Sequence, residues 1–410
     1  MSARTWMKAA LGLSTALLTT ASAGAADKDT PVSWTKTVIE GKFRSEGVSI
    51  GDVNKDGKTD VLIGDSWYEA PSWSKHDIRK PGDYGDGLHG YSECMASWAD
   101  DVNGDGWIDQ IVIGFPGAAA FWYENPKNQP GHWPRHELWA SACNETPLYT
   151  DLFGDGRRVL VMGWQPKGKD NEGRMAWFTP GGDPTQPWEM HPVSPTSTPA
   201  KVVPGTQQFS HGLGVGDLNG DGRNDVICIG GWWEQPESGR KNTAPWPFHP
   251  ANLGEAVADM IAYDVNGDGK ADVVDSSAHR FGIWWYEQGA RKDGSPVFTR
   301  HDLFPDLVSE THALIAADIN GDGLKDLVTG KRFWSHGKSE PGSDKPSRLY
   351  WFEATRTSAG KTSFIPHEID DQSGIGTQFV VTDFNGDGLL DIVSANKKGV
   401  FLLTQVRAGK

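Results

Sequence analysis

Cysteine, long apolar runs and basic charge are all scarce in this chain of 410 residues. Three cysteines are too few to build a disulfide scaffold. Cys228, in "DVICIGG", reads as a buried thiol, and a Cys94–Cys143 bridge is left open. No segment after the first 26 residues approaches 18 apolar positions, so no membrane span is expected in the mature chain. Lys and Arg number 39 against 54 Asp and Glu. That balance leaves no basic face for nucleic acid or anionic lipid. Helical periodicity is absent too.

The first 26 residues stand apart from the rest. Arg4 and Lys8 precede an apolar stretch from Ala9 to Leu18, and "ASAGAA" supplies small residues for cleavage. This is the pattern of a secretory signal peptide, which implies a secreted or periplasmic protein. Its removal shifts the formal charge from −15 to −17, because the segment holds two bases and no acid. Residues 27–410 are then a single domain.

What the chain has in abundance is one repeated phrase. "GDLNGDGRNDVICIG", from Gly216, is one of seven copies, whose first aspartates fall at 52, 101, 151, 217, 264, 318 and 383. Each copy follows a short apolar strand and runs directly into another. A third strand then carries an aromatic pair such as "WYE" or "WWEQP", and a fourth has the form "x-x-His-x-apolar". A period near 50 residues with four strand signals predicts an all-β, seven-bladed β-propeller. The leading "SWTKTVIEG" has no third strand before it, and the trailing "GVFLLTQ" has no fourth strand after it. Together they are expected to complete the last blade and remove its open edges. His76, His136, His191, His249, His301 and His367 all occupy the fourth-strand position. A residue found in almost every repeat is expected to serve the repeat rather than a single site.

The acidic phrase sets oxygen ligands at positions 1, 3, 5 and 9 around a glycine at position 6. Hard oxygens in that pattern are what Ca²⁺ takes, without the bidentate glutamate of an EF-hand. Six structural calcium sites are therefore expected: Asp52, Asn54, Asp56, Asp60; Asp101, Asn103, Asp105, Asp109; Asp217, Asn219, Asp221, Asp225; Asp264, Asn266, Asp268, Asp272; Asp318, Asn320, Asp322, Asp326; and Asp383, Asn385, Asp387, Asp391. The third copy has Phe153 and Val159 where ligands should stand, so no calcium is expected there. These repeats resemble the FG-GAP/VCBS family of calcium-stabilised propellers, known from integrin α-chains and secreted bacterial proteins. The resemblance implies the fold and the calcium but not an activity.

A functional site is expected at the face opposite the acidic loops, where the first strands begin. Six residues before the first aspartates stand Glu46, Met95, Glu145, His211, Ala258, His312 and Thr377, with Asp259 and Gln378 one step later. Loops on the same face bring His89, His279, His336, Arg280, Lys331, Arg332 and Lys397. Three readings of this ring are open. Glu46, Glu145, His211 and His312 would hold Zn²⁺ or Mn²⁺, with His279, Lys331 and Arg332 beside them, for metal-assisted elimination on carbohydrate. In support, "QFSHGLGVGDLNGDG" and "ETHALIAADINGDG" are similar to strands in the propeller of fungal aldos-2-ulose dehydratases, although the cupin part of those enzymes has no counterpart here. Alternatively, the face binds a glycan or a protein without chemistry, as adhesion propellers do. The third reading is a satisfied polar plug. The paired aromatics are expected to pack between blades, which leaves Trp164 and Trp334 as the sugar-stacking candidates.

Overall fold

In a computed structural model, described over residues 31–169, 171–290, 296–358 and 361–407, the chain is all-β. The expected signal segment lies outside these residues. One short 3₁₀ turn, Gly239–Lys241, is the helical structure among the described residues. No helix there is long and apolar enough to cross a membrane.

The strands form antiparallel four-strand units in chain order, in a propeller-like arrangement. Composition sets the layering within each unit. The second strand is buried along its length and largely apolar after its leading aspartate, as in Asp60–Ile63. The fourth is short and largely exposed, as in Ser74–Asp77. Hydrophobic clusters lie between successive sheets. One joins Ile111 and Trp122 of one unit to Leu160 and Phe178 of the next. Each such aliphatic or aromatic side chain removed from water contributes roughly 1.5–3 kcal/mol.

The seven separate sheets expected from the repeats are resolved differently. Five four-stranded sheets stand alone, and one sheet has eight strands. In the latter, the first strands of two neighbouring units, Leu213–Gly216 and Asp259–Tyr263, pair in parallel. Glycine permits the approach: a methyl group on Gly214 would collide with the Met260 carbonyl, and one on Gly216 with the Ala262 side chain. At the chain ends, Ser33–Glu40 pairs antiparallel with Gly399–Val406, from Ser33 opposite Val406 to Glu40 opposite Val400.

The repeat positions form a recurring internal device. Each repeat histidine stacks on the tryptophan directly opposite it on the adjacent third strand, with centroids 3.8–4.7 Å apart in all six. Five of them also bond a third-strand glutamate through Nε2, as His76 does with Glu69 at 2.9 Å. In four copies the other oxygen of that glutamate accepts from the position-3 asparagine, linking the acidic loop to the outer strand. The third copy has Thr179 in place of the glutamate, and His191 Nε2 is buried without a hydrogen-bond partner, 3.9 Å from Glu189.

Within the acidic loops, the position-1 and position-3 oxygens converge on the position-5 amide at 2.9–3.1 Å. The position-9 aspartate does more than the spacing implied. It is fully buried, and its two oxygens accept backbone N–H groups from two different segments. Asp60, for example, takes Val53 at 3.0 Å and Ala70 at 2.9 Å.

Candidate functional site

Glu145 and His312 stand shortly before the first strands Leu148–Thr150 and Leu314–Ala317, and His211 before Leu213–Gly216. His279 follows the second strand Asp272–Ser276. Antiparallel order puts all four at one end of the sheets. Local backbone features aim them inward. Gly212, at φ +75°, has no room for a side chain between Ile229 and Val257, so His211 is carried on a tight left-handed step. Glu310 is also left-handed, at φ +54°, two residues before His312. A buried non-glycine residue in that region is strained and is held by its surroundings, here by an ion pair with Lys331.

The histidine nitrogens converge. His279 Nε2 lies 2.8 Å from His211 Nε2. Glu145 Oε2 lies 3.2 Å from His312 Nε2 and 3.3 Å from His211 Nε2. The ligand atoms of His211, His279 and His312 are all within 4.8 Å of one another. His312 is fully buried, and its Nδ1 has no partner. Burial, with the nearby Arg332 charge adding to it, pushes His312 down to about 3, so this ring is neutral at working pH. Burial opposes the Glu145 carboxylate, but hydrogen bonds from His211 and His312 outweigh it and hold Glu145 below the usual carboxylate range.

A second carboxylate backs the cluster. Glu340 Oε1 lies 2.6 Å from His279 Nδ1 and 2.7 Å from His336 Nδ1. An Nδ1–H donated to Glu340 leaves His279 Nε2 as a bare lone pair facing the other histidines. Ser335 donates to the remaining Glu340 oxygen at 3.0 Å. Gly342 seats this loop, because a Cβ there would strike Phe281 and Ser309. Glu340 is absent from the sequence-based candidates. Its available signal was the i, i+4 spacing from His336 within the long 333–348 loop.

Seven residues expected at this face fall outside the cluster. Glu46 is fully buried, pairs with Arg332, and also accepts from Ser92 N at 3.0 Å. Lys331 is paired with Glu310. These ions pair with one another in a low-dielectric interior, with Arg332 Nε and Glu310 Oε1 left without a hydrogen-bond partner. Arg332 still acts electrostatically through its charge on His312. Lys397 stacks over Tyr91 at 4.2 Å and donates to the Trp334 carbonyl at 2.9 Å. Burial and the Arg332 charge push Lys397 down to about 8 against the pull of Glu46. Asp259 and Gln378 stitch neighbouring first strands, accepting from Leu314 N and Val48 N at 3.1 and 2.8 Å. His89 is exposed and lies apart.

A cavity of about 600 Å³ adjoins the cluster, with His279 and Glu340 in its wall beside Arg280, Trp284 and Tyr286. A larger one, about 780 Å³, lies by the first acidic loop and holds none of the cluster residues. Of the aromatic pairs, Trp285 and Trp351 take the position equivalent to Trp67, while Trp284 is one residue earlier and so faces the other way. Trp164 packs edge-on against Trp139 in the core, so Trp284 and not Trp164 meets the cavity.

A family profile described as "FG-GAP-like repeat" matches residues 264–329, two consecutive acidic loops and the strands between them. The chain carries an FG-GAP-like repeat. Among curated proteins no match is found. Solved structures similar to this chain include an Agrocybe aegerita lectin described as recognising non-reducing terminal N-acetylglucosamine. It is 16% identical, with 92% of this chain and 86% of that one covered and a TM-score of 0.42. The V. cholerae biofilm matrix protein Bap1 is 18% identical over 72% of this chain and 42% of its own, TM-score 0.35. BBS1N, solved in complex with ARL6DN, is 10% identical over 92% and 98%, TM-score 0.46.

Proposed function

We propose that this is a secreted or periplasmic propeller that binds a divalent transition metal at one mouth of its central channel and acts there on carbohydrate as a lyase or dehydratase. The observation that carries this reading is the convergence of three histidine nitrogens with Glu145. Nitrogen ligands with one carboxylate suit Zn²⁺ or Mn²⁺, and a neutral His312 would present its Nε2 lone pair once a metal replaces the proton it shares with Glu145. A bound metal would polarise a substrate carbonyl or hydroxyl oxygen. The half-exposed His336, held by Glu340, is the base that takes a proton from the carbon beside that carbonyl. The electrons of the broken C–H bond form a C=C bond, and the oxygen on the next carbon leaves and takes up a proton as water or as a sugar hydroxyl.

In the same reading, the six complete acidic loops hold Ca²⁺ and the third does not. The eight-stranded sheet counts as two blades fused at their inner strands, which makes seven around the axis. The pairing of Ser33–Glu40 with Gly399–Val406 then closes the ring. Metal content of the mature protein tests the centre. Calcium plus about one transition metal per chain is expected, with His211→Ala/His312→Ala losing only the latter. Calcium alone in both proteins would sink the catalytic reading and leave a propeller that binds a glycan or a protein without chemistry.

A further inference from the structure

We propose that the cavity of about 600 Å³ beside the histidine cluster is the binding site for a neutral pyranose unit, recognised through a vicinal diol. This rests on the reading of the cluster as the reactive centre, because the cavity shares His279 and Glu340 with it.

Two opposite charges in its wall are uncommitted. Arg280, exposed on the loop after Asp272–Ser276, and Glu255, exposed on the loop before Asp259–Tyr263, have no hydrogen-bond or ion-pair partner on their side chains among the described residues. The other charged lining groups are engaged: Glu340 with two histidines, and Arg300 with Asp302 at 2.7 Å. An anionic ligand would meet two carboxylates in this wall, and a cationic one would meet two guanidinium groups. A diol offers donors to Glu255 and acceptors to Arg280 at once, with no charge of its own.

The cavity floor adds a polar group that the fold leaves unused. Tyr286 lines the cavity and is buried, and its hydroxyl has no partner. Behind it Asp275 is fully buried, with neither oxygen bonded. Burial raises the titration of both groups, so each keeps its proton. Gly254 packs directly against them: a Cβ there would lie 3.3 Å from the Tyr286 hydroxyl and from Asp275 Oδ2. Buried polar groups without partners are uncommon, and a hydroxylated ligand would supply the missing bonds. Trp284 gives the apolar counterpart, a half-buried ring in the same wall with Arg300 4.8 Å from its centroid. Polar groups at the edge and a flat apolar face match the two aspects of a pyranose ring.

The test is a glycan array spanning neutral and acidic sugars, followed by calorimetry on the full chain with the best ligand. A neutral glycan is expected to bind, with Arg280→Ala and Tyr286→Phe each weakening it about fivefold to tenfold at unchanged melting temperature. Tyr286→Phe is informative because the hydroxyl it removes bonds nothing in the fold. Binding is expected to survive in His211→Ala/His312→Ala, so loss of the metal reading and loss of the sugar site register separately. Binding of acidic glycans alone, binding indifferent to Arg280→Ala and Tyr286→Phe, or no binding across the array would overturn the assignment.

Discussion

Arg240 reaches into the acidic loop of the preceding repeat and makes two hydrogen bonds to Asp155, at 2.6 and 2.8 Å. Its guanidinium also lies 4.5 Å from the Phe153 ring. Phe153 and Val159 replace two oxygen ligands here, so the arginine supplies the positive charge that the neighbouring loops would take from a cation. Hydrogen bonds from Arg240 and then Arg157 hold Asp155 well below the usual carboxylate range.

Arg240→Ala should therefore destabilise the protein by about 1 kcal/mol, since the pair is bidentate but partly exposed. Added calcium should not restore the loss, as the third loop lacks ligands. Denaturant melts with and without calcium decide this, and full rescue by calcium would show that the loop is a cation site after all.

Calcium removal should have a pH signature. Burial first, and then neighbouring loop carboxylates, push Asp60, Asp272 and Asp391 up to about 6, and Asp109, Asp225 and Asp326 up to about 7. A carboxyl raised in the folded state stabilises it fully below about pH 4 and loses that contribution as pH climbs through 6 to 7. Calcium-stripped protein should thus weaken across that window, while bound cation offsets the cost of ionisation. The melting-temperature gap between loaded and stripped protein should be wider at pH 8 than at pH 5. An equal gap would mean that these carboxyls do not ionise against the cation.

Glu340→Gln should lower transition-metal affinity about 10-fold to 100-fold, because the carboxylate that fixes the His279 tautomer is lost. Calcium content should stay unchanged. Competition with a metal-sensitive dye reads the affinity directly, and an unaltered value would reduce Glu340 to a loop anchor.

His76→Ala should cost about 1 kcal/mol through the lost stack on Trp67 and the lost bond to Glu69. Transition-metal content should be untouched. A drop in that content would contradict the structural role assigned to the repeat histidines.

Much of this architecture was legible because a repeat states its pattern seven times. The loop spacing, the strand order and the shared histidine position needed no tertiary information. Convergence of Glu145, His211 and His312 followed from counting back along the first strands. Counting could not reveal that Glu46 would be taken by Arg332, since that pairing joins residues 286 apart in sequence. Trp284 stands one residue before the stacking position that Trp285 takes, enough in a strand to exchange the blade interior for the cavity wall. Thr179 is legible in the same way: it removes the glutamate in the one copy that also lacks the position-3 asparagine, so the two losses belong together.

The parallel pairing of Leu213–Gly216 with Asp259–Tyr263 bears on how this protein can be cut and rearranged. His211 and His279 ride on the two halves of that eight-stranded sheet, so a continuous backbone ladder sets their separation. Circular permutants opened at joints between the free-standing sheets should keep the two rings in register. One opened in the segment between Gly216 and Asp259 would leave only the ladder's own hydrogen bonds to hold them.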